Sequence, residues 1–261
     1  MSVVGEAGGQ PVRGIGRSDG VESRLARLGR LIDDEPAVDE APEGVRGRLQ
    51  RLCSVVTRVL PASGAGVSML TEEGSDGATA AAWGPNSQAI EELQFSFGEG
   101  PCIEAFTSRR PVLESDMPRR GMRRWPAFAP AAHDYGVRAV FAFPLQVGGV
   151  RLGALDIHRE VPGPLTAVAL SQAVTFADIA VRLLLDGQHA ADGGTVSGVD
   201  DVLAHRAEVY QAQGMVMVDL GVSLAEAMAR LRGHAYAQGR PLGEVAKDVL
   251  AGTLELERDT P

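Results

Sequence analysis

Cysteine, lysine and long apolar runs are scarce in this 261-residue sequence, and each scarcity excludes a class of protein. The two cysteines, Cys53 and Cys102, are too few for a disulfide scaffold or a thiolate metal site. No run approaches the roughly 18 apolar residues that a membrane helix needs. The N-terminus also lacks the charged start and apolar stretch of a signal peptide. We therefore expect a cytoplasmic protein that does not bind a membrane.

Positive charge is carried almost entirely by arginine, because Lys247 is the only lysine. A net charge of −9 argues against a protein that coats nucleic acid without specificity, but it does not exclude a local basic face. The densest basic run is RRGMRR at 119–124. We predict a solvated loop that faces the acidic remainder of the protein. Binding of an anionic effector or of RNA is the alternative.

The first 186 residues have the pattern of a domain of helices and strands that is preceded by a short helix. Residues 1–20 are glycine-rich and lack periodicity, which predicts a disordered N-terminus. Residues 21–44 predict a short helix and an acidic connection, and residues 45–186 alternate helices with strands. Two strand-like runs flank Gly148-Gly149, which is typical of a tight hairpin. This order predicts an α+β domain with an antiparallel sheet. The further elements predicted are strands near 65–70, 78–83, 94–97 and 111–114 and a helix over 165–186.

The remainder of the chain predicts a small helical domain behind a linker. Residues 187–198 contain four glycines and little that can pack, which is typical of a linker. Three helices follow within 199–253, and residues 254–261 form a tail. Ser223 begins a capping box with Glu226, Pro241 suits the first turn of the third helix, and Gly252 can end it. About 50 residues make a marginal core alone, so support from a partner or the neighbouring domain is expected.

Separated motifs in the larger domain resemble the GAF family. They are FGEGPCIEAFTSRRPVLESDM, then WPAFAPAAHDYGVRAVFAFPL, then GVRLGALDIHR. The resemblance covers roughly 45–186. It implies a twisted antiparallel sheet with flanking helices and a pocket for a small-molecule effector.

The C-terminal stretch HRAEVYQAQGMVMVDLGVSLAEAMARLRGHAYAQGRPLGEVAKDVLAG is similar to the ANTAR domain of bacterial antiterminators. This resemblance implies an all-α, three-helix unit that binds paired RNA hairpins in a leader transcript and prevents a terminator from forming. It also implies a homodimer, since two hairpins must be held together. The two resemblances together predict a signal-responsive regulator of transcription antitermination.

Eight residues are the predicted RNA contacts of the helical domain. Five positive and five negative residues lie between 202 and 252, so on the residues alone these charges indicate a solvated helix surface. The resemblance implies instead that they contact RNA. The family's Gln-Ala-Lys-Gly appears as QAQG at 211–214, where Gln213 replaces a cation, and Met228 replaces a residue that is often aromatic. The predicted contacts are Arg206, Gln211, Gln213, Arg230, Arg232, Tyr236, Arg240 and Lys247.

The sequence predicts no catalytic site, metal site or cofactor. No P-loop or dinucleotide glycine motif occurs, and no Ser-His-Asp order, HExxH or CxxC stands out. His133 and His158 are expected to be surface or hydrogen-bonded residues rather than haem or metal ligands. Cys102 is expected to pack near a turn, although a stabilised thiolate is the alternative.

Two other functions fit the sequence. The larger domain could dimerise without ligand while the helical domain contacts protein or DNA. Alternatively, the chain could be a reductase that uses its cysteines, as some GAF-type proteins reduce methionine sulfoxide. A cysteine-dependent activity that is lost in Cys102→Ser would favour the reductase.

Overall fold

The computed structural model describes residues 17–36, 44–71, 77–191 and 207–256. The predicted disorder of residues 1–16, most of the predicted linker, Arg206 and the end of the tail lie outside the described residues.

A five-stranded antiparallel sheet forms the centre of the larger domain, with the strand order β2-β1-β5-β4-β3. Strands β4 and β5 pair along their length, and Gly148 takes a φ of +56° in the turn between them. The predicted glycine hairpin is therefore confirmed. The strands are β1 (Gly64–Leu70), β2 (Gly77–Trp83), β3 (Val112–Glu114), β4 (Ala139–Val147) and β5 (Val150–Arg159).

The two faces of the sheet are covered by different helices. One face packs on α2 (Val45–Val59) and α7 (Ala167–Ala191), and α1 (Arg17–Asp33) packs against these two helices to extend the same aliphatic and aromatic core. The other face packs on α3 (Ser87–Phe97), α4 (Pro101–Ser108) and α6 (Phe128–Asp134). A π-helical turn (Met117–Gly121) and α5 (Met122–Arg124) connect β3 to α6. The predicted α+β architecture is confirmed.

Alternation along β1 separates an apolar face from a polar one. Ala65 and Val67 belong to the core beneath α2 and α7. Gly66 and Ser68 point the opposite way and contact Glu91 of α3. The second face of the sheet is therefore polar where α3 crosses it.

Three helices form the C-terminal unit: α8 (Ala207–Leu220), α9 (Leu224–Gln238) and α10 (Leu242–Leu250). The Ser223 hydroxyl accepts a hydrogen bond from the Glu226 amide at 3.2 Å, which confirms the predicted N-cap. Leu224 is half exposed. The three helices share a core formed by Val209, Val216, Ala227, Leu231, Ala235, Leu242, Val245 and Val249. The predicted three-helix unit is confirmed.

Several predicted boundaries are wrong. Helix α1 begins at Arg17, so residues 17–20 are helical rather than disordered. Helix α7 continues to Ala191, so residues 187–191 are helix rather than linker. Residues 94–97 were predicted as a strand and form the last turn of α3, since Gln94 and Phe95 lie on the same helical face as Glu91.

Helix α7 contains a stretch, Ala167–Asp186, that is long and apolar enough to cross a membrane. More than half of its most apolar window, 56%, is buried inside the protein. Phe176, Ala180 and Leu183 pack in the core beneath the sheet. Packing in this core accounts for the apolar composition of the helix.

We expect Gly153→Ala to destabilise the larger domain by about 1–3 kcal/mol, because an added Cβ would overlap the backbone carbonyl oxygen of Ser68 on β1. Gly149→Ala is the matched control: the same methyl group would meet nothing within 4 Å, and Gly149 does not need a positive φ. Urea unfolding of both variants measures the difference. Equal stabilities would contradict the close approach of β1 and β5.

Candidate functional site

Helix α3 brings polar side chains to a buried face of the sheet. Its buried positions, Ser87, Ile90, Glu91, Gln94 and Phe95, recur at the helical period. Three of these five side chains are polar, so the layer between α3 and the sheet differs from an ordinary apolar core. We call this layer the polar layer.

Glu91 lies at the centre of the polar layer with 1% of its surface exposed. The Ser68 hydroxyl donates a hydrogen bond to Glu91 Oε2 at 2.7 Å. A Cβ on Gly66 would lie 2.6 Å from Glu91 Cδ, so the carboxyl occupies the space that this glycine leaves. Asp156 stands opposite Gly66 in the pairing of β1 with β5. The two carboxyls therefore meet beneath α3.

Gln94 connects the polar layer to the start of α4. Its Nε2 donates a hydrogen bond to Asp156 Oδ2 at 2.6 Å, and its Oε1 accepts one from the Cys102 amide at 2.8 Å. Cys102 is fully buried in the first turn of α4. The side chain of Gln94 thus holds both the Asp156 carboxyl and the Cys102 backbone in place.

Burial controls the ionisation of these groups. It raises the pKa of Glu91 well above its usual value, and the nearby Asp156 carboxyl raises it further. Burial also raises the pKa of Asp156 to about 7, against the lowering effect of the hydrogen bond from Gln94. Burial and both carboxyls raise the pKa of the Cys102 thiol. The predicted alternative of a stabilised thiolate is therefore not favoured by the surroundings of Cys102.

His158 ends the polar layer next to the start of α3. Its Nε2 lies 2.9 Å from Ser87 Oγ, whose single proton can be donated to the Trp83 carbonyl oxygen at 2.7 Å. In that arrangement His158 Nε2 carries a hydrogen and donates a hydrogen bond to Ser87 Oγ. Burial lowers the pKa of His158 to about 4, so the ring is neutral at pH 7. The expectation of a hydrogen-bonded histidine is confirmed for His158.

Sequence reasoning missed Glu91, Gln94, Ser87 and Asp156. One signal was present: Asp156 and His158 alternate inside the otherwise apolar strand VRLGALDIHR, which places two polar residues on the same face. Glu91 gave no signal, because a glutamate beside another glutamate on a helix is typical of a solvated surface.

The predicted basic run at 119–124 forms ion pairs with acidic residues of its own domain. Arg120 Nε lies 3.1 Å from Glu114 Oε1, and Arg124 is paired with Glu104. The Arg124 guanidinium also lies 4.8 Å from the centre of the Trp125 ring. The prediction of a loop is wrong, because residues 117–124 are helical. The contacts nevertheless favour a segment that faces acidic groups of its own domain over one that is free to bind an anion.

The predicted RNA contacts of the helical domain do not share one surface. Gln213 is 5% exposed and donates a hydrogen bond to the Leu224 carbonyl oxygen at 2.9 Å, so its place in the helical core leaves no surface for RNA. Gln211 is exposed on α8. Three of the cations lie within 4.0 Å of carboxylates: Arg230 with Glu226, Arg240 with Glu244 and Asp248, and Lys247 with Glu208.

Two of the predicted RNA contacts lie against the larger domain. Arg232 Nε donates a hydrogen bond to the Phe95 carbonyl oxygen at 2.9 Å, near the C-terminal end of α3. The Tyr236 ring meets the Phe97 ring edge to face, with 5.8 Å between ring centres. We call these two contacts the α3–α9 contact. A cavity of about 430 Å³ lies beside them, lined by residues of both domains.

Family models identify both domains. The model described as "GAF domain" matches residues 43–185. The chain belongs to the GAF domain family. The model described as "ANTAR domain" matches residues 199–250, so the helical unit is a C-terminal ANTAR domain. No curated protein is similar enough to the chain to count as a match.

Solved GAF domains share the fold. The GAF domain of a phosphoenolpyruvate-protein phosphotransferase from Coxiella burnetii is 18% identical, with a TM-score of 0.50, and the match covers 69% of this chain and 99% of that one. A free methionine-R-sulfoxide reductase from Neisseria meningitidis, solved with its substrate, is 16% identical, with a TM-score of 0.45, and the match covers 73% of this chain and 99% of that one. At 18% identity the likeness to the Coxiella domain shows the fold alone.

We expect neither cysteine to react rapidly with a water-soluble thiol reagent in the folded protein. Cys53 and Cys102 are both free and fully buried, and burial raises the pKa of each thiol. Titration with an aromatic disulfide reagent should detect both thiols only after unfolding in guanidinium. Rapid reaction of the Cys102 thiol before unfolding would contradict its burial and would favour the reductase alternative.

Proposed function

We propose that the protein is a cytoplasmic, signal-responsive regulator of transcription antitermination, in which the GAF domain controls RNA binding by the ANTAR domain. The observation that carries the proposal is the ANTAR domain match at 199–250, directly behind a GAF domain. The ANTAR domain binds paired hairpins in leader transcripts, and a homodimer holds the two hairpins together. A small-molecule effector of the GAF domain supplies the signal.

The contacts of α9 support a mechanism of control. Arg232 and Tyr236 carry the two chemistries that RNA binding uses, a cation for phosphate and an aromatic ring for an unpaired base. Both are engaged with α3 in the α3–α9 contact. RNA and the GAF domain therefore compete for the same side chains. An effector that favours the released arrangement increases the exposure of α9 and the affinity for RNA.

A second surface of the ANTAR domain, on α8 and α10, is exposed while α9 contacts α3. Gln211 and Lys247 are exposed on α8 and α10, and the ion pair of Lys247 with Glu208 is solvated at 3.7 Å. Such surface pairs contribute between about 0 and 1 kcal/mol, so phosphate can displace the carboxylate. This surface can make a first contact with RNA before α9 is released.

The positions of the cysteines oppose the reductase alternative. Cys53 belongs to the core between α2 and the sheet, whereas Cys102 lies in a cluster on the other face with Phe95 and Phe106. A disulfide requires Cα atoms within about 7 Å, which the intervening sheet prevents. A regulator without enzymatic activity fits this arrangement better than a two-cysteine catalytic cycle.

We expect Lys247→Ala to weaken binding of paired-hairpin RNA and to reduce the slope of log K against log salt concentration by about one, since one phosphate contact is lost. Fluorescence anisotropy over a salt series measures both quantities, with scrambled RNA and duplex DNA as competitors. Arg27→Ala is the matched control because it removes an exposed cation from α1 of the GAF domain. Equal slopes for the two variants would remove Lys247 from the contact surface.

We expect Phe97→Ala to tighten RNA binding by about two- to tenfold, because an edge-to-face aromatic pair worth about 0.5–1.5 kcal/mol no longer holds Tyr236. Leu113→Ala is the control, since Leu113 is a half-exposed apolar residue of β3, away from α9. The same anisotropy assay compares the full-length proteins without effector. Unchanged or weaker binding by Phe97→Ala would show that docking does not limit access to RNA.

A further inference from the structure

Three buried side chains with metal-binding atoms converge in the polar layer. One ligand atom each from Glu91, Cys102 and Asp156 lies within 4.8 Å of the other two. Some point then lies within about 2.8 Å of all three atoms, because that is the largest radius such a triangle requires. Zinc bonds are about 2.3 Å to sulfur and about 2.0–2.2 Å to carboxylate oxygen. Inward shifts of about 0.5–0.8 Å at most would bring the three atoms to bonding distance of one ion.

Asp156 provides a second observation that points to a cation. Its Oδ2 accepts the hydrogen bond from Gln94, but its Oδ1 is fully buried and accepts no hydrogen bond of standard geometry from the described residues. The other groups that interact with the Asp156 carboxyl are the Glu91 carboxyl and the Cys102 thiol, which are the other two ligands. Leaving a buried carboxylate oxygen unpartnered is unfavourable. A cation between the three ligand atoms would satisfy Oδ1.

Neutral donors hold the ligands from outside. Ser68 donates to the outer oxygen of Glu91, and Gln94 bonds both the outer oxygen of Asp156 and the amide of Cys102. Metal sites commonly use such outer hydrogen bonds to orient their ligands. Ser68 and Gln94, which donate hydrogen bonds to the two carboxyls, are uncharged, so these bonds do not neutralise the charge of either carboxylate.

We propose that Glu91, Cys102 and Asp156 form a binding site for one divalent transition-metal ion, with Zn²⁺ and Fe²⁺ as the best matches. Without a cation the surroundings of Cys102 favour the thiol, so the bound ion itself would lower the pKa of this group and release its proton to solvent. The resulting thiolate ligand favours these ions over Mg²⁺ and Ca²⁺, which prefer oxygen ligands alone. The sequence predicted no metal site, because the three ligands are separated by ten and more residues and follow no known spacing. The proposal stands independently of RNA binding.

Co²⁺ is the probe that tests this site, because a thiolate ligand gives it a charge-transfer absorption in the near ultraviolet. Full-length protein stripped with a chelator is titrated with Co²⁺, and Zn²⁺ is then added to displace it. We expect one Co²⁺ per chain with the thiolate absorption. Cys102→Ser should abolish the absorption, while Cys53→Ser, the matched buried cysteine on the other face of the sheet, should retain it.

Variants of the remaining residues test the geometry. Glu91→Gln and Asp156→Asn should each weaken Co²⁺ binding at least about 100-fold. Gln94→Leu should weaken it about 10- to 100-fold, since Gln94 orients two ligands without binding the ion. Circular dichroism identifies any variant that fails to fold, and the Zn²⁺-induced rise of Tm in wild type but not in folded Cys102→Ser provides a second measurement.

Three results would overturn the proposal. One is folded wild-type protein that shows no thiolate absorption with Co²⁺. That result would indicate that the Glu91 and Asp156 carboxyls share a proton instead of binding a metal ion. Another is equal metal affinity in wild type and Cys102→Ser, which would indicate an adventitious ion elsewhere. The third is loss of the absorption in Cys53→Ser with retention in Cys102→Ser.

Discussion

The meeting of the Glu91 and Asp156 carboxyls beneath α3 is the constraint on which this half of the GAF domain depends. The side chains of β1 below α3 must be small, since a Cβ at Gly66 would touch Glu91 and one at Gly64 would overlap His158. Ser68 donates a hydrogen bond to the Glu91 carboxyl, which has room there because Gly66 has no side chain. Buried acids of this kind reduce stability unless every oxygen is satisfied, whereas well-packed apolar residues would not. Departures from simple core packing of this sort are expected where a site is built.

The same helix that carries Glu91 also carries the contact to the ANTAR domain. Glu91 and Gln94 face the polar layer, while the carbonyl group of Phe95 and the ring of Phe97 meet Arg232 and Tyr236. Phe97 follows Glu91 by six positions, a rise of about 9 Å along the helix. A displacement of α3 at the polar layer therefore moves the surface that α9 contacts.

The sequence predicted the architecture well because its turn, helix-capping and linker residues are easily recognised. Glycine pairs marked the hairpin, Ser223 and Glu226 marked a helix start, and residues 187–198 marked the separation of two domains. Helix α3 was missed, since QFSF resembles a strand and the helical spacing of the buried positions before it was overlooked. Gln213 was assigned to RNA because amides bind phosphate and bases, yet it bonds Leu224 in the core.

The candidate site was less accessible to sequence reasoning for a physical reason. Glu91, Cys102 and Asp156 come from a helix, a helix start and a strand, and only the tertiary fold brings their ligand atoms within 4.8 Å of one another. No local period or spacing encodes that convergence. The α3–α9 contact had the same difficulty, because Arg232 and Tyr236 are typical of a nucleic-acid surface and nothing in the sequence indicates that α3 contacts them.

The modest size of the α3–α9 contact suits a switch. A hydrogen bond from a charged donor contributes about 1.5–3 kcal/mol, and an aromatic pair adds about 0.5–1.5 kcal/mol. A docking free energy near 3 kcal/mol leaves roughly one molecule in 150 undocked. An effector that binds the undocked arrangement about 150-fold more tightly would then equalise the two populations at saturation. A larger apolar interface would require a discrimination that a single small ligand or ion rarely provides.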